Sequence, residues 1–322
     1  MFSFFPVHRP RSGVSLRANS LDLVEVQRRW RRPPLVRRLV SRPLPPGLLT
    51  PSCTMPNVSE HGTFVRELQA LCKGLRDRTV AIDLPISCGT LGLFQFETVP
   101  STRAEQEALL RWRFRQEEHA VGNDLYLVSQ VFTSRQQESP ATSASVLAVA
   151  IQKSIVEQYH RVCEDADLLP VSMGFSTLHL IDLYRRVMPA SSGAFFAHRT
   201  ADALLVLAFQ NSRPALLRVK PLRRANVDLK SELISTLRFF DSQFPHVATS
   251  SGAVRSPLYI VDEGAPSAML GNPAISEVWT PTENPDWRVE VTRVQWSTAP
   301  MTISPSVTEP PPFGALAAVL AS

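Results

Sequence analysis

Near the head of the chain, Gly13-Val-Ser-Leu-Arg-Ala-Asn-Ser-Leu-Asp-Leu-Val-Glu-Val26 sets two short apolar runs, Val14/Leu16 and Leu21/Leu23/Val24/Val26, around the polar Arg17-Ala18-Asn19-Ser20. A strand, a tight polar turn and a returning strand can cradle a phosphate when glycine lets backbone N–H groups approach it. This turn has no glycine. What it offers instead are side-chain donors, Arg17 and Asn19, which could hold an anion.

Other chemistries find little support. The four cysteines, Cys53, Cys72, Cys88 and Cys163, lie far apart with no C-x-x-C pair and no histidine at metal-ligand spacing, so small buried hydrophobes are the expected role. The seven histidines are scattered, without H-E-x-x-H, and no serine sits in a G-x-S-x-G elbow. There is no G-x-x-x-x-G-K-[ST] loop and no G-x-G-x-x-G turn, and only 13 glycines are available for wrapping phosphate with backbone. No metal is expected.

Charge is uneven. Residues 1–50 carry ten arginines and no lysine against Asp22 and Glu25, while the whole chain nets only +5, so the remainder is slightly acidic. The densest segment holds Arg28, Arg29, Arg31, Arg32, Arg37 and Arg38 around Trp30, and could touch anionic lipid headgroups or nucleic-acid phosphates. Pro33 and Pro34 argue against one basic helix lying on a membrane, and a solvated hairpin extension is the plainer reading.

These residues need a scaffold, and the length predicts two lobes: 322 residues exceed the size at which single cores stop growing. No stretch approaches the ~18 apolar residues of a membrane span, so a cytoplasmic chain without its own anchor is expected. Apolar spacing predicts helices over 63–75, 105–115, 154–167, 229–240 and 313–322. Strands are predicted over 79–85, 92–99, 124–132, 145–151, 193–196, 203–209, 215–219 and 258–261, with polar or Pro-rich loops at 133–144 and 297–312. Mixed elements in two similar halves give an α/β protein.

The order of these pieces resembles the PilM-type proteins of type IV pilus assembly, which are actin-like and related to the cell-division protein FtsA. The likeness runs from about Gly13 to the C-terminus. Leu23-Val24-Glu25-Val26 resembles the end of the family's returning strand, and Ala81-Ile-Asp-Leu-Pro85 its following strand. Glu97-Thr-Val-Pro100, Leu110-Arg-Trp-Arg113 and Asp124-Leu-Tyr-Leu-Val128 resemble its inserted subdomain. Val146 to Ile151, Ala166-Asp-Leu-Leu-Pro170 and Ser176 to Tyr184 resemble the strand, turn and helix that close its first lobe. Asp167 stands where the family usually has glycine.

The resemblance implies an α/β, actin-like (ribonuclease H-like) two-lobed fold with a small α+β subdomain inserted in the first lobe. The implied division is 1–90 with 163–190 as the first lobe, 91–162 as the insert, 191–312 as the second lobe, and 313–322 as a helix packing back on the lobes. It also implies a nucleotide cleft built from three elements. In the first, the family's Asp falls on Ser15 and its Gly on Arg17, followed by Ala18, Asn19 and Ser20, with Asp22 where lysine is common. In the second they fall on His198 and Thr200, around Arg199, Ala201 and Asp202. In the third, the Gly-Gly run falls on Asp262 and Glu263, leaving Gly264.

Bulky and acidic replacements at all three elements predict a vestigial cleft and a pseudo-ATPase, not an enzyme, with ATP and magnesium implied by family resemblance alone. The implied partner is the cytoplasmic N-terminal tail of a single-span inner-membrane pilus protein, PilN-like, lying between the first lobe and its insert. By resemblance that groove involves Leu91, Leu93, Phe94, Phe96, Trp112 and Phe114. The protein would then be a scaffold peripheral to the inner membrane, with homo-oligomers open and no nucleic acid expected. A working ATPase, a cytoplasmic component of a type II secretion system and a basic lipid- or nucleic-acid-binding module are the alternatives.

Overall fold

The apolar alternation around Arg17-Ala18-Asn19-Ser20 does build a hairpin: β1 (Ser12–Arg17) and β2 (Ser20–Arg29) pair antiparallel, with Gly13 opposite Val24 and Arg17 opposite Ser20. The computed structural model describes residues 10–116, 124–133, 144–184, 193–210, 213–222, 228–243, 254–263, 276–279, 281, 287–293, 302–303 and 313–321. Gly264 and most of the two long loops at 133–144 and 297–312 lie outside the described residues.

The first sheet continues from that hairpin. Strand β3 (Arg32–Pro43) pairs antiparallel with β2, β4 (Thr79–Leu84) runs parallel to β1, and β8 (Leu169–Phe175) runs parallel to β4. A two-residue β15 (Thr302–Ile303) joins the outside, giving the order β15-β3-β2-β1-β4-β8. The second sheet repeats the plan. Strands β9 (Ala194–Arg199), β10 (Ala203–Gln210) and β11 (Arg213–Pro221) form an antiparallel meander, and β12 (Val254–Asp262) and β14 (Trp287–Arg293) add in parallel. With β13 (Ser276–Trp279) antiparallel at the end, the order is β11-β10-β9-β12-β14-β13. Two sheets that share three antiparallel strands followed by two parallel ones make the two lobes.

A third sheet, β5 (Thr90–Phe96), β7 (Ala144–Gln152) and β6 (Leu125–Thr133) in that order, is wholly antiparallel. One face carries α2 (Arg103–Gln116), with Phe94 and Phe114 meeting edge to face at 5.0 Å between centroids. The other face, through Leu147, Val149 and Ile151, joins the first lobe's core, so central β7 is buried on both sides.

Helix α1 (His61–Leu71) and helix α3 (Lys153–Asp165) pack together on the first lobe. The buried stripe of α3 is Ile155, Val156, Tyr159, Val162 and Cys163, the five positions that the spacing selects. This stripe enters the first lobe's core, where α3 packs on α1, β7 and β8. The helix also stops at Asp165. Asp167 takes the left-handed φ of 59°, and its N–H bonds Glu164 O while Leu168 N–H bonds Cys163 O, both at 2.9 Å. This reversal normally uses glycine, the residue type that the resemblance places there.

The apolar helix α6 (Phe313–Ala321) covers β1, β2 and β4 through Ala315, Leu316, Ala318 and Val319 against Val24, Val26, Val36 and Ala81. Gly13 permits this approach: a Cβ there would lie 2.1 Å from Ala315 O. In the second lobe α5 (Leu229–Gln243) buries Leu233, Leu237 and Phe240, with Phe240 edge to face on Phe195. Among the described residues no helix is long and apolar enough to cross a membrane.

Candidate functional site

The cleft between the lobes forms where β1 and β9 end and turn. Parallel pairing sets Ser15 beside Asp83 in the first lobe and Arg199 beside Asp262 in the second, so equivalent strand ends of the two sheets face each other. Ser15 Oγ donates to Asp83 Oδ2 at 2.7 Å, and Asp83 Oδ1 accepts the backbone N–H of Ser176, the first residue of α4 (Ser176–Tyr184). Burial pushes the Asp83 carboxyl up from 3.8 to about 7, against the opposing pull of the Ser15 hydroxyl.

Arg17 lies across this cleft. Its Nε is 3.1 Å from Asp22 Oδ2 on the returning strand, and its Nη2 is 3.0 Å from Glu263 Oε2 of the other lobe. The second contact is Coulombic, since Nη2 makes no directed hydrogen bond. Burial works against the guanidinium charge, but Glu263 and Asp22 outweigh it and raise the Arg17 pKa. Burial likewise raises Asp22, which Arg17 and the hydroxyl of Ser41, 2.6 Å from Oδ1, pull back down.

Two further links cross between the lobes. Thr177 Oγ1 and His198 Nδ1 are 2.7 Å apart, with His198 Nε2 3.7 Å from Glu263 Oε1, and both residues are buried. Ser87 Oγ, in the short 3-10 turn after β4, donates to Asp202 Oδ2, while Thr200 Oγ1 donates to Asp202 Oδ1 at 2.7 Å. Arg199 Nη1 is 3.7 Å from Asp262 Oδ2, and Arg199 O accepts the Glu263 N–H at 2.9 Å.

The cleft positions named from the sequence, Ser15, Arg17, His198, Arg199, Thr200, Asp262 and Glu263, are thus brought together. Ala18 and Asn19 sit exposed at the turn, where Asn19 O accepts Leu44 N–H at 2.8 Å, and Ser20 is paired in the ladder. Asp83 and Thr177 join this network from outside the three cleft elements that the resemblance implies, and Asp22 and Asp202 join it from beside them. The single signal for Asp83 was its place at the end of a strand in Ala81-Ile-Asp-Leu-Pro85.

The expected partner groove is only partly exposed. Phe94 and Phe114 are fully buried and Leu91 is 8% exposed, all inside apolar cores, because alternate residues of β5 face α2 and the first lobe. They cannot line a surface groove. Leu93 and Phe96 are half-buried and Trp112 is exposed. The recess beneath α2, bounded by Phe96, Leu109 and Val131, holds only about 10 Å³. A larger groove of about 340 Å³ runs between β6 and α3, lined by Tyr126, Val156, Glu157, His160, Arg161 and Glu164. Strand β6 is an edge strand of its sheet. Lys153 Nζ lies 5.8 Å from the Tyr126 ring centroid and 2.5 Å from Asp124 Oδ1 at one end.

The basic segment also divides. Arg28, Arg29, Arg31 and Arg32 surround the tip of the β2–β3 hairpin and Arg37 is exposed farther along, whereas Arg38 is half-buried and donates to Lys73 O at 2.8 Å after α1. Arg38 therefore belongs to the packing of the lobe and not to a patch. Cys72, Cys88 and Cys163 are buried free thiols pushed up to about 12 by burial, and no metal-binding group occurs among the described residues.

No protein-family model matches the sequence, and no curated protein does. Among solved structures, a chain of the PilM-PilN type IV pilus biogenesis complex superposes over 98% of this chain and 98% of its own, at a TM-score of 0.67 and 20% identity. The cytoplasmic domain of EpsL, an inner-membrane component of the type II secretion system of Vibrio cholerae, covers 96% of this chain and 92% of its own at 0.46 and 11% identity. A Bacteroides thetaiotaomicron protein with an actin-like ATPase fold covers 78% and 80% at 0.40 and 12% identity. Two lobes built on one repeated sheet plan, with a three-stranded insert in the first, give this chain a two-lobed actin-like fold of the kind found in the PilM-PilN complex.

Proposed function

We propose that this chain is a non-catalytic actin-like scaffold of an inner-membrane assembly platform, of the type IV pilus or a related secretion kind. In this reading its own side chains lock the interlobe cleft, and an extended peptide tail from a single-span, PilN-like partner docks on the first lobe. The observation that carries the reading is Arg17 bridging Asp22 and Glu263 across the lobes.

The residues present do not fit a magnesium nucleotide. Phosphates brought to the cleft would meet the carboxylates of Asp22 and Glu263, and the Arg17 side chain already fills the turn where glycine would admit them. Arg199, a second cationic donor, lies against Asp262. A deep interaction network within the protein takes the place of a ligand that holds two lobes together.

For the partner tail, the groove between β6 and α3 is the best-supported seat. An extended peptide can add main-chain hydrogen bonds to an edge strand and place alternate side chains against the neighbouring helix. Glu157, His160, Arg161 and Glu164 provide both signs of charge along it, with the half-buried Tyr126 as an apolar anchor. Isothermal titration tests both halves of the proposal. Mg-ATP should give no heat of binding, and a synthetic N-terminal tail peptide of a single-span platform protein should bind the wild type and lose affinity to Arg161→Glu. Micromolar Mg-ATP binding overturns the locked cleft; a peptide that binds both proteins equally, or neither, overturns the groove.

A further inference from the structure

We propose that the tip of the β2–β3 hairpin is a contact site for an anionic lipid surface. This goes beyond the scaffold reading and does not depend on it. Strand β2 outruns its neighbour: Ser12 of β1 pairs with Glu25, Val26 N–H still reaches Arg11 O, and beyond that point β2 pairs with β3 as far as Arg29 opposite Arg32. The hairpin therefore ends in a two-residue turn, Trp30-Arg31, that stands out from the sheet.

Trp30 is 86% exposed, the highest exposure among the large apolar side chains described. Arg31 adopts a left-handed φ of 53° and sets its guanidinium 5.9 Å from the Trp30 ring centroid, while Arg32 is exposed beside it. The base of the turn is held by carbonyls. Arg29 donates to Pro33 O from Nε and Nη2 at 2.9 and 2.7 Å, and Arg28 Nη2 donates to Val319 O at 2.8 Å in the last turn of α6. The turn is thus braced and presents one aromatic ring ringed by arginines.

That chemistry matches an anionic membrane interface. An indole is amphipathic and rests at headgroup depth, and guanidinium forks pair with lipid phosphates. A single projecting point suits an interface better than it suits a nucleic-acid backbone, which needs a basic track along its length. Arg28, Arg29, Arg31 and Arg32 gather at this tip and no acidic residue occurs from Val26 to Arg37, so an anionic surface attracts it. The cleft lies at the opposite end of β2, ~30 Å from the tip at ~3.3 Å per residue over Ser20–Arg29.

The test is co-sedimentation of the full chain with vesicles of equal parts phosphatidylcholine and phosphatidylglycerol, or of phosphatidylcholine alone, at low and at near-physiological salt. Binding is expected to the anionic vesicles only and to weaken with salt. The pair Arg31→Ser/Arg32→Ser should lose about 25-fold, roughly five-fold per arginine near the surface. Trp30→Ala should weaken binding while leaving its salt dependence unchanged. Thermal melting of the variants, whose altered side chains are exposed, should match the wild type. The proposal is overturned by wild type that ignores anionic vesicles, by an arginine-pair variant that binds as well as wild type, or by preference for a short DNA duplex over the vesicles.

Discussion

Replacing Asp83 with Asn should make stability rise more steeply, or fall less, as pH rises from about 4 to about 7. In the folded protein the Asp83 carboxyl titrates near 7, against 3.8 ordinarily, because burial opposes its charge. The folded state therefore keeps a proton that the unfolded chain releases above pH 4, and stability falls as pH climbs through this window, by about 4 kcal/mol at 1.36 kcal/mol per unit. His179, buried in α4, works in the opposite sense. Burial lowers its pKa from 6.5 to about 4, so the unfolded chain takes up a proton that the folded state refuses. Stability from that group is present above pH 6.5 and is lost toward pH 4, by about 3 kcal/mol. In the wild type the two slopes oppose each other. Asn at position 83 keeps an acceptor for Ser176 N–H and gains a donor for the Ser15 hydroxyl, so the fold should survive while one slope disappears. Urea unfolding at a series of pH values from 4 to 7.5 reads the difference directly. Parallel wild-type and Asp83→Asn profiles would refute the assignment of the raised pKa to this carboxyl.

Two other substitutions test the architecture around the site. Arg17→Met should cost ~3–5 kcal/mol, because it leaves the Asp22 and Glu263 carboxylates without their cation. Adding Glu263→Leu should recover part of the loss, and strictly additive denaturation energies in the double-mutant cycle would show that the bridge does not couple the lobes. Asp167→Gly should stabilise by about 1 kcal/mol, since it relieves a left-handed residue and gives up only an exposed 3.7 Å pair with Arg78. A lower melting temperature for this variant would contradict the cap geometry.

Much of the scaffold was readable in the sequence because it depends on local period. The stripe of α3 and the continuous apolar run of β10 follow from burial on one face and from a central position in a sheet, and the pattern of apolar residues records both. Strand β3 was hidden by its prolines at 33, 34 and 43 and its four arginines; Pro33 and Pro43 fall at its ends, and the strand needs few apolar residues because much of it is solvated. Strand β8, Leu-Pro-Val-Ser-Met-Gly-Phe, begins inside Ala166 to Pro170, the stretch that resembles a turn. It lies at the edge of its sheet, where Pro170 can do without an N–H. The cleft was half legible. The resemblance places Ser15, Arg17, His198 and Glu263 at the cleft, but Asp83 meets Ser15 across 68 positions through a strand register that no local pattern records. In the partner groove, aromatic type alone could not separate buried Phe94 and Phe114 from exposed Trp112.

Helix α6 has a consequence for the order in which this protein can be made. Gly13 and Ala315 touch, yet about 300 residues lie between them, so β1 leaves the ribosome long before the helix that must cover it. At ~5–20 residues per second the wait is roughly 15 to 60 s. Throughout it the nascent first lobe shows the ribosome exit and the cytosol an uncovered apolar strip at Val24, Val26, Val36 and Ala81. That strip makes the growing chain a client for holding chaperones, and it makes α6 the piece that ends the dependence.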